Sequence, residues 1–503
     1  MEHADAAHLA AVGGALGSVL VLLARGRLTL LAGLVVLVTA EAGLILSLGA
    51  ASVDKLASAA GVVAATVGML LVGGAAAIFV RRPALVPVAV LVAAPFRPPL
   101  DFDRDNRFLL SVAQDGRLGR LLPLYFVLAA ASGALGWKAV RGRPLRAIPR
   151  AIAWPAAAFF AFAFLSLLWA EDPEAGVNLL VFFTLPFVAL LAVAARAEFP
   201  ESAPRALAAA ALALGALFAL VGLWQAATHK LFFYAENLAV SNANTDFFRV
   251  TSLFGDPSLY GRHLVMGIGV ALAMLAASRW RGWPLIGLIV LMWAGLLFSY
   301  SQSSMAALVV VTLALALATS SDRWVRRAVA VLAGLAIIAA CAVAAVQVID
   351  GKSLNKITSD RTERVEDTLR VVREHPFLGV GVAGQPRVSR ELARSRRTAA
   401  NFVSHTAPLT VAAELGLVGL GLYVWLIVGG VIAIVAVRRR DNALGLALGA
   451  SFLGLFVHAL FYSGFLEDPI TWLVLAVAAG YLGTHEAQRS AAERARERAA
   501  ARA

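Results

Sequence analysis

Apolar runs of about 18–24 residues recur along the chain between short charged links, and about 20 residues in a helix are what it takes to cross hydrocarbon. This repetition leaves few folds open. Of the 503 residues, 60% are hydrophobic and 15% charged, and the mean hydropathy is +0.79. A water-soluble core stops growing well before it could absorb that much apolar surface. The expected fold class is all-α: a polytopic transmembrane helical bundle with one long periplasmic or extracellular loop carrying short amphipathic helices.

The apolar runs predict spans over residues 8–24, 28–49, 57–80, 84–96, 120–137, 152–170, 177–195, 206–227, 263–278, 284–300, 302–319, 327–348, 415–437, 442–464 and 469–483. The expected count is roughly fifteen, or twelve to fifteen because the first four runs are the weakest, and run 84–96 is short for a crossing by itself. No cleavage pattern precedes the first span, so it is expected to remain as an anchor. Three regions are expected: N-terminal helices over 1–227, a second block over 228–483 that includes loop 349–404, and a basic tail over 484–503.

Net charge is +13, but it concentrates in short links and the tail. There it orients helices against anionic lipid; it is no sign of nucleic-acid binding. Arg25 and Arg27, Arg81 and Arg82, Lys138 to Arg150, Arg279 and Arg281, Arg323 to Arg327 and Arg438 to Arg440 all fall on one face if the spans alternate. That face is expected to be cytoplasmic. Loops 97–119, 171–176, 228–262, 349–404 and 465–468 then face outward. A single cysteine, Cys341, excludes an intramolecular disulfide and a thiolate metal cluster.

The long outer loop is where the chemistry collects. Asp360 with Glu363 reads as a helix N-cap and its capping-box partner. Val365, Leu369 and Val372 recur at helical spacing beside arginines, and Pro376 stops the helix near His375. Leu378-Gly-Val-Gly381 follows as a tight turn. The result is a short amphipathic helix on the outer surface, with Arg361 at the end that favours anions by side chain and by dipole. A second polar interval, 228–262, ends in a Gly- and Pro-dense turn running from Arg249 to Gly261, and Ser301 to Ser304 lies between two spans at the same face.

Three segments, in this order, resemble the O-antigen ligase and O-antigen polymerase superfamily: Arg249 with Gly255 and Pro257; Arg361-x-Glu363 with Pro376-x-x-Gly379-x-Gly381; and His405 with Leu409 and Glu414-Leu-Gly416. The likeness spans roughly residues 249–423, the N-terminal half being supported by hydropathy alone. Where the family usually reads Ser-Arg, this chain reads Ser301-Gln302, so one expected cation is missing. The family's His-Asn is here His405-Thr406. The resemblance implies a bacterial inner-membrane enzyme that works at the periplasmic or exterior face without metal or cofactor. Such enzymes transfer a glycan from undecaprenyl diphosphate to a glycan or lipid acceptor, with inversion, as ligase or polymerase.

Transfer from a diphosphate needs the departing pyrophosphate stabilised and the acceptor hydroxyl deprotonated. Guanidinium groups suit the first task and a neutral imidazole the second. Arg361 and Arg249 are accordingly the candidate diphosphate clamp, and His405 the candidate general base. Blander accounts stand beside these: an interfacial histidine bonding a loop carbonyl, and lipid-contacting arginines like Arg364 and Arg370. Ser301, Gln302 and Ser303 read better as helix caps than as substrate ligands. Glu41 and His458 fall within spans, where ionisable groups are costly. Asp101, Asp103 and Asp105 read as a solvated turn. The alternative function is a transporter or flippase for lipid-linked glycan. It would favour mid-bilayer charged or broken-helix sites and an internal repeat, and no convincing repeat is present.

Overall fold

The computed structural model describes residues 2–48, 59–97, 100–101, 109–110, 121–232, 236–245, 247–277, 282–324, 326–329, 331, 361–462, 464 and 466–500. Most of the expected span 327–348 lies outside the described residues, as do Cys341, Asp103, Asp105 and the Asp360 cap. The described chain is helical throughout, apart from a two-residue antiparallel pairing of Leu100–Asp101 with Leu109–Leu110.

Among the described residues, 10 helices are long and apolar enough to cross a membrane, as expected of a polytopic bundle. They are Asp5–Leu23, Arg27–Ser47, Leu122–Val140, Arg150–Trp169, Pro173–Ala194, Ala203–Thr228, Pro257–Ala276, Gln302–Thr319, Ala407–Arg438 and Asn442–Ala459. Thr66–Arg81 and Gly282–Leu297 are shorter apolar helices. The run expected at 84–96 makes only the helix Leu85–Ala93, roughly 14 Å long, which is less than half of a crossing. The last helix, Pro469–Ala500, runs from the bundle into the basic tail. Helices are the outcome that lipid enforces, because each satisfies its own backbone polar groups within one segment.

Local signals set where several of these helices begin. Asp172, Asp256, Ser301 and Asp441 each accept a hydrogen bond from an amide of the first turn, removing orphan donors that lipid would not solvate. Ser301 is thus the cap that its sequence suggested. Between helices the core is held by apolar packing and a few aromatic anchors. Phe160 and Phe187 close on the fully buried Trp472 at ring distances of 4.4 and 6.4 Å, uniting three helices.

The links sort into two ends. At one end Arg196 donates to the carbonyls of Val21 (2.7 Å) and Ala24 (3.3 Å), closing the C-terminus of the first helix. Arg146 reaches the Ala197 carbonyl and Thr484 nearby, and Arg438 the Ala318 carbonyl. At the other end the Glu171 amide donates to the Val380 carbonyl, the Val250 amide to that of Phe298, and Arg262 pairs with Asp468.

Candidate active site

The polar loop is docked by its own turn. Arg361–Glu374 is an amphipathic helix that stops before His375 and Pro376, as read from the sequence. Its buried Val371 packs with Val380, Val388 and Ala413 as a small core of its own. The turn after Pro376 then pairs, backbone to backbone, with a break in the helix Ala407–Arg438. The Val380 amide donates to the Ala413 carbonyl (3.0 Å) and the Gly381 amide to the Glu414 carbonyl (2.9 Å). In return the Leu417 amide donates to the Pro376 carbonyl (2.8 Å) and the Val418 amide to that of Phe377 (3.3 Å).

Helical geometry fails at Gly416, with φ 64° and ψ −168°. Only glycine holds that conformation at low cost, and a Cβ there would land on the Phe377 carbonyl. Gly381, at φ +80°, presses against Ala170 in the same way. The Glu414 carboxylate bonds the amides of Ala383 and Gln385, capping the short helix Gln385–Leu392. The Pro-x-x-Gly-x-Gly and Glu-Leu-Gly signatures are thus two halves of one joint. Both signatures hold the loop against the broken helix.

What the joint positions is the segment before the half-helix. Gln385 is fully buried; its Nε2 donates to Thr368 Oγ1, Ser389 Oγ and the Phe402 carbonyl, and its Oε1 accepts from the Ser404 amide. Thr406 Oγ1 donates to the Leu460 carbonyl at 3.2 Å. Between these two anchors stands His405, partly buried, with its Nε2 2.5 Å from Arg364 NH1. A guanidinium can only donate, so Nε2 accepts and the imidazole proton rides on Nδ1. That is a neutral histidine held by a permanent cation.

Around this pair the bundle supplies further polar groups. The Tyr462 ring lies 6.0 Å from that of His405 and 5.4 Å from that of His458. Burial and the hydrogen-bonded Asp256 carboxylate push the Tyr462 phenol far above its ordinary range. His458, wholly buried, has its Nε2 3.2 Å from Ser303 Oγ, which in turn bonds Ser301. Arg262 and Asp468 form an ion pair at 2.5 Å, with side chains 3% and 2% exposed. Arg97 shares their small pocket, and burial lowers its pKa against the pull of Asp468. Glu467 is raised by desolvation and drawn back by Arg97 and Arg262.

A cavity of about 330 Å³ opens beside Ser404. Phe159, Phe160, Phe183, Phe187, Val411 and Trp472 supply much of its apolar wall, while Thr410, Glu414 and Glu467 join Ser404 on its polar side.

The three candidates fare differently. His405 sits in a prepared polar setting, bonded to a cation. Arg361 opens the helix that delivers Arg364, one turn before it, and its own side chain lies outside the described residues. Arg249 is tied by its backbone to Asn242, and its Nε donates to the Ser299 carbonyl at 3.3 Å. It does not contact His405; a run of contacts through Ser301, Ser303, His458 and Tyr462 connects the two places. The cation that touches His405 is Arg364, which sequence reasoning set aside as a lipid contact. Its spacing of three residues from Arg361 was the available signal. Gln385 carries no signal in one sequence, since its role depends on a chain reversal.

A comparison with curated proteins finds no match. Residues 287–424, which include both His405 and Arg364, are similar to the family model Wzy_C, O-Antigen ligase.

Proposed function

We propose that the protein transfers a glycan from an undecaprenyl diphosphate carrier to an acceptor hydroxyl at the outer face of a bacterial inner membrane, as ligase or polymerase. One observation carries this reading above the others: within the matched domain, a guanidinium donates to the imidazole of His405, in a segment anchored on both sides by buried hydrogen bonds.

In this reading His405 is the base. Substrate diphosphate draws Arg364 away from Nε2, and the freed lone pair takes the acceptor proton as its oxygen attacks the anomeric carbon. The new C–O bond forms as the bond between the anomeric carbon and the diphosphate oxygen breaks, and the polyprenyl diphosphate leaves with the electron pair. Arg361 and Arg249, together with Arg364, neutralise that charge, for which permanent bidentate donors are suited. Attack opposite the leaving group gives inversion. No step calls on a metal or cofactor.

The test is transfer by purified protein in nanodiscs, given a polyprenyl diphosphate glycan. Arg364→Ala and His405→Ala should each abolish product while leaving expression and melting temperature unchanged. Transfer at the wild-type rate by His405→Ala would remove the proposed base.

A further inference from the structure

The helix Ala407–Arg438 turns an exposed apolar face outward from the bundle. Beyond the break at Gly416, Leu417, Val418, Val424, Val428, Val431 and Val435 recur at helical spacing along one side, each 44–52% exposed. Such a stripe on a spanning helix faces lipid. Two helices give the depth at which it ends. From Arg438 to Leu417 the helix rises about 32 Å at about 1.5 Å per residue, which crosses about 30 Å of hydrocarbon with modest tilt. Arg439 and Arg440, both exposed, belong with the headgroups at the first end, so Leu417 stands at the opposite hydrocarbon boundary. The helix Arg150–Leu165, continued by the 3₁₀ turn Ser166–Trp169, climbs about 30 Å between its exposed Arg150 and Trp169. Trp169 Nε1 donates to the Leu378 carbonyl at 3.2 Å, and tryptophan settles where hydrocarbon meets headgroups.

Phe377 and Leu378 lie at this same level. The Pro376 and Phe377 carbonyls accept from the Leu417 and Val418 amides, so the turn sits beside the start of the lipid-facing stripe. Those bonds fix the turn, yet Phe377 is 70% and Leu378 49% exposed. Two large apolar side chains held outward in water would be costly. At the hydrocarbon boundary they lengthen the stripe by one step. We infer that Phe377 and Leu378 form a keel: the tip of the polar loop is immersed in the acyl chains of the leaflet on its own side of the membrane. The amphipathic helix Arg361–Glu374 ends at this keel, so lipid, as well as the joint at Gly416, fixes its height above the bilayer. The contact needs neither substrate nor turnover and stands apart from the transferase reading.

Photolabelling of the unsubstituted full-length protein in phosphatidylcholine nanodiscs tests this, with a phosphatidylcholine that carries a diazirine near the carbonyl end of its acyl chain. Mapping by mass spectrometry should find label on Phe377 or Leu378 within about three-fold of that on Leu417 and Val418. A second measurement places a nitroxide at Phe377→Cys or Leu378→Cys, with the lone cysteine removed by Cys341→Ser. Chromium oxalate in the water should relax either nitroxide at least about ten-fold less than one introduced by Arg396→Cys, an exposed position of the same loop, since a charged complex is kept out of hydrocarbon. No label on Phe377 and Leu378, or relaxation there equal to that at 396, overturns the inference. The labelling result decides even if no cysteine variant folds.

Discussion

Replacing Gly416 by alanine strikes the joint that holds the loop to the bundle. At φ 64° and ψ −168°, a non-glycine residue costs about 1–3 kcal/mol in backbone strain. The added Cβ collides with the Phe377 carbonyl, which accepts from the Val418 amide. Four backbone hydrogen bonds cross the joint. Losing two of them at about 1 kcal/mol each brings the total to about 3–5 kcal/mol. That corresponds to about two to three and a half orders of magnitude more frequent opening. Hydrogen exchange in nanodiscs should show faster exchange over residues 376–384 and 413–418, with the helix Asn442–Ala459 unchanged. Glycan transfer should fall at least about a hundredfold, because His405 and Arg364 come from the two halves that the joint unites. Unaltered exchange with transfer within about two-fold of wild type would refute the positioning role given to both motifs.

Other perturbations separate charge from packing. Arg364→Lys should raise the KM for donor about ten-fold or more, because an ammonium does not reproduce a charge-assisted guanidinium contact; an unchanged KM argues against a diphosphate contact. Arg262→Ala should cost about 3–5 kcal/mol by stranding Asp468 in the bundle, read as lost yield or a lowered Tm, while Arg262→Leu with Asp468→Leu should recover most of it. Glu467 binds its proton more tightly folded than unfolded. Its contribution to stability is therefore present at low pH and is lost as pH rises from the ordinary carboxylate pKa through the raised one. Glu467→Gln should remove that decline, and an identical pH–Tm profile would contradict the assigned burial.

Hydropathy alone exposed the bundle, because run length and lipid thickness are one constraint. The helix at 361–374 was equally legible, since valines, arginines and Pro376 act locally. The short helix Leu85–Ala93 shows the same logic in reverse: its apolar run is too brief to form a helix of full spanning length. His405 was visible through its motif. Arg364 was not, because its contact spans 41 positions, and neighbouring arginines on one helix look alike until the fold aims one of them. Gly416 was legible as part of a signature but not as a helix break, since an apolar run hides an interruption whose partner lies in another loop. Gln385 and Tyr462 belong to the same class: ordinary residues made important by burial beside a chain reversal.

The most direct test of the whole reading is single-turnover transfer by the reconstituted protein, comparing wild type with His405→Gln at saturating polyprenyl diphosphate glycan. Glutamine keeps a hydrogen-bond acceptor near Arg364 but cannot take a proton at neutral pH. The expected result is unchanged donor binding with the chemical step slowed at least about a hundredfold. Equal rates for the two proteins would contradict base catalysis by His405.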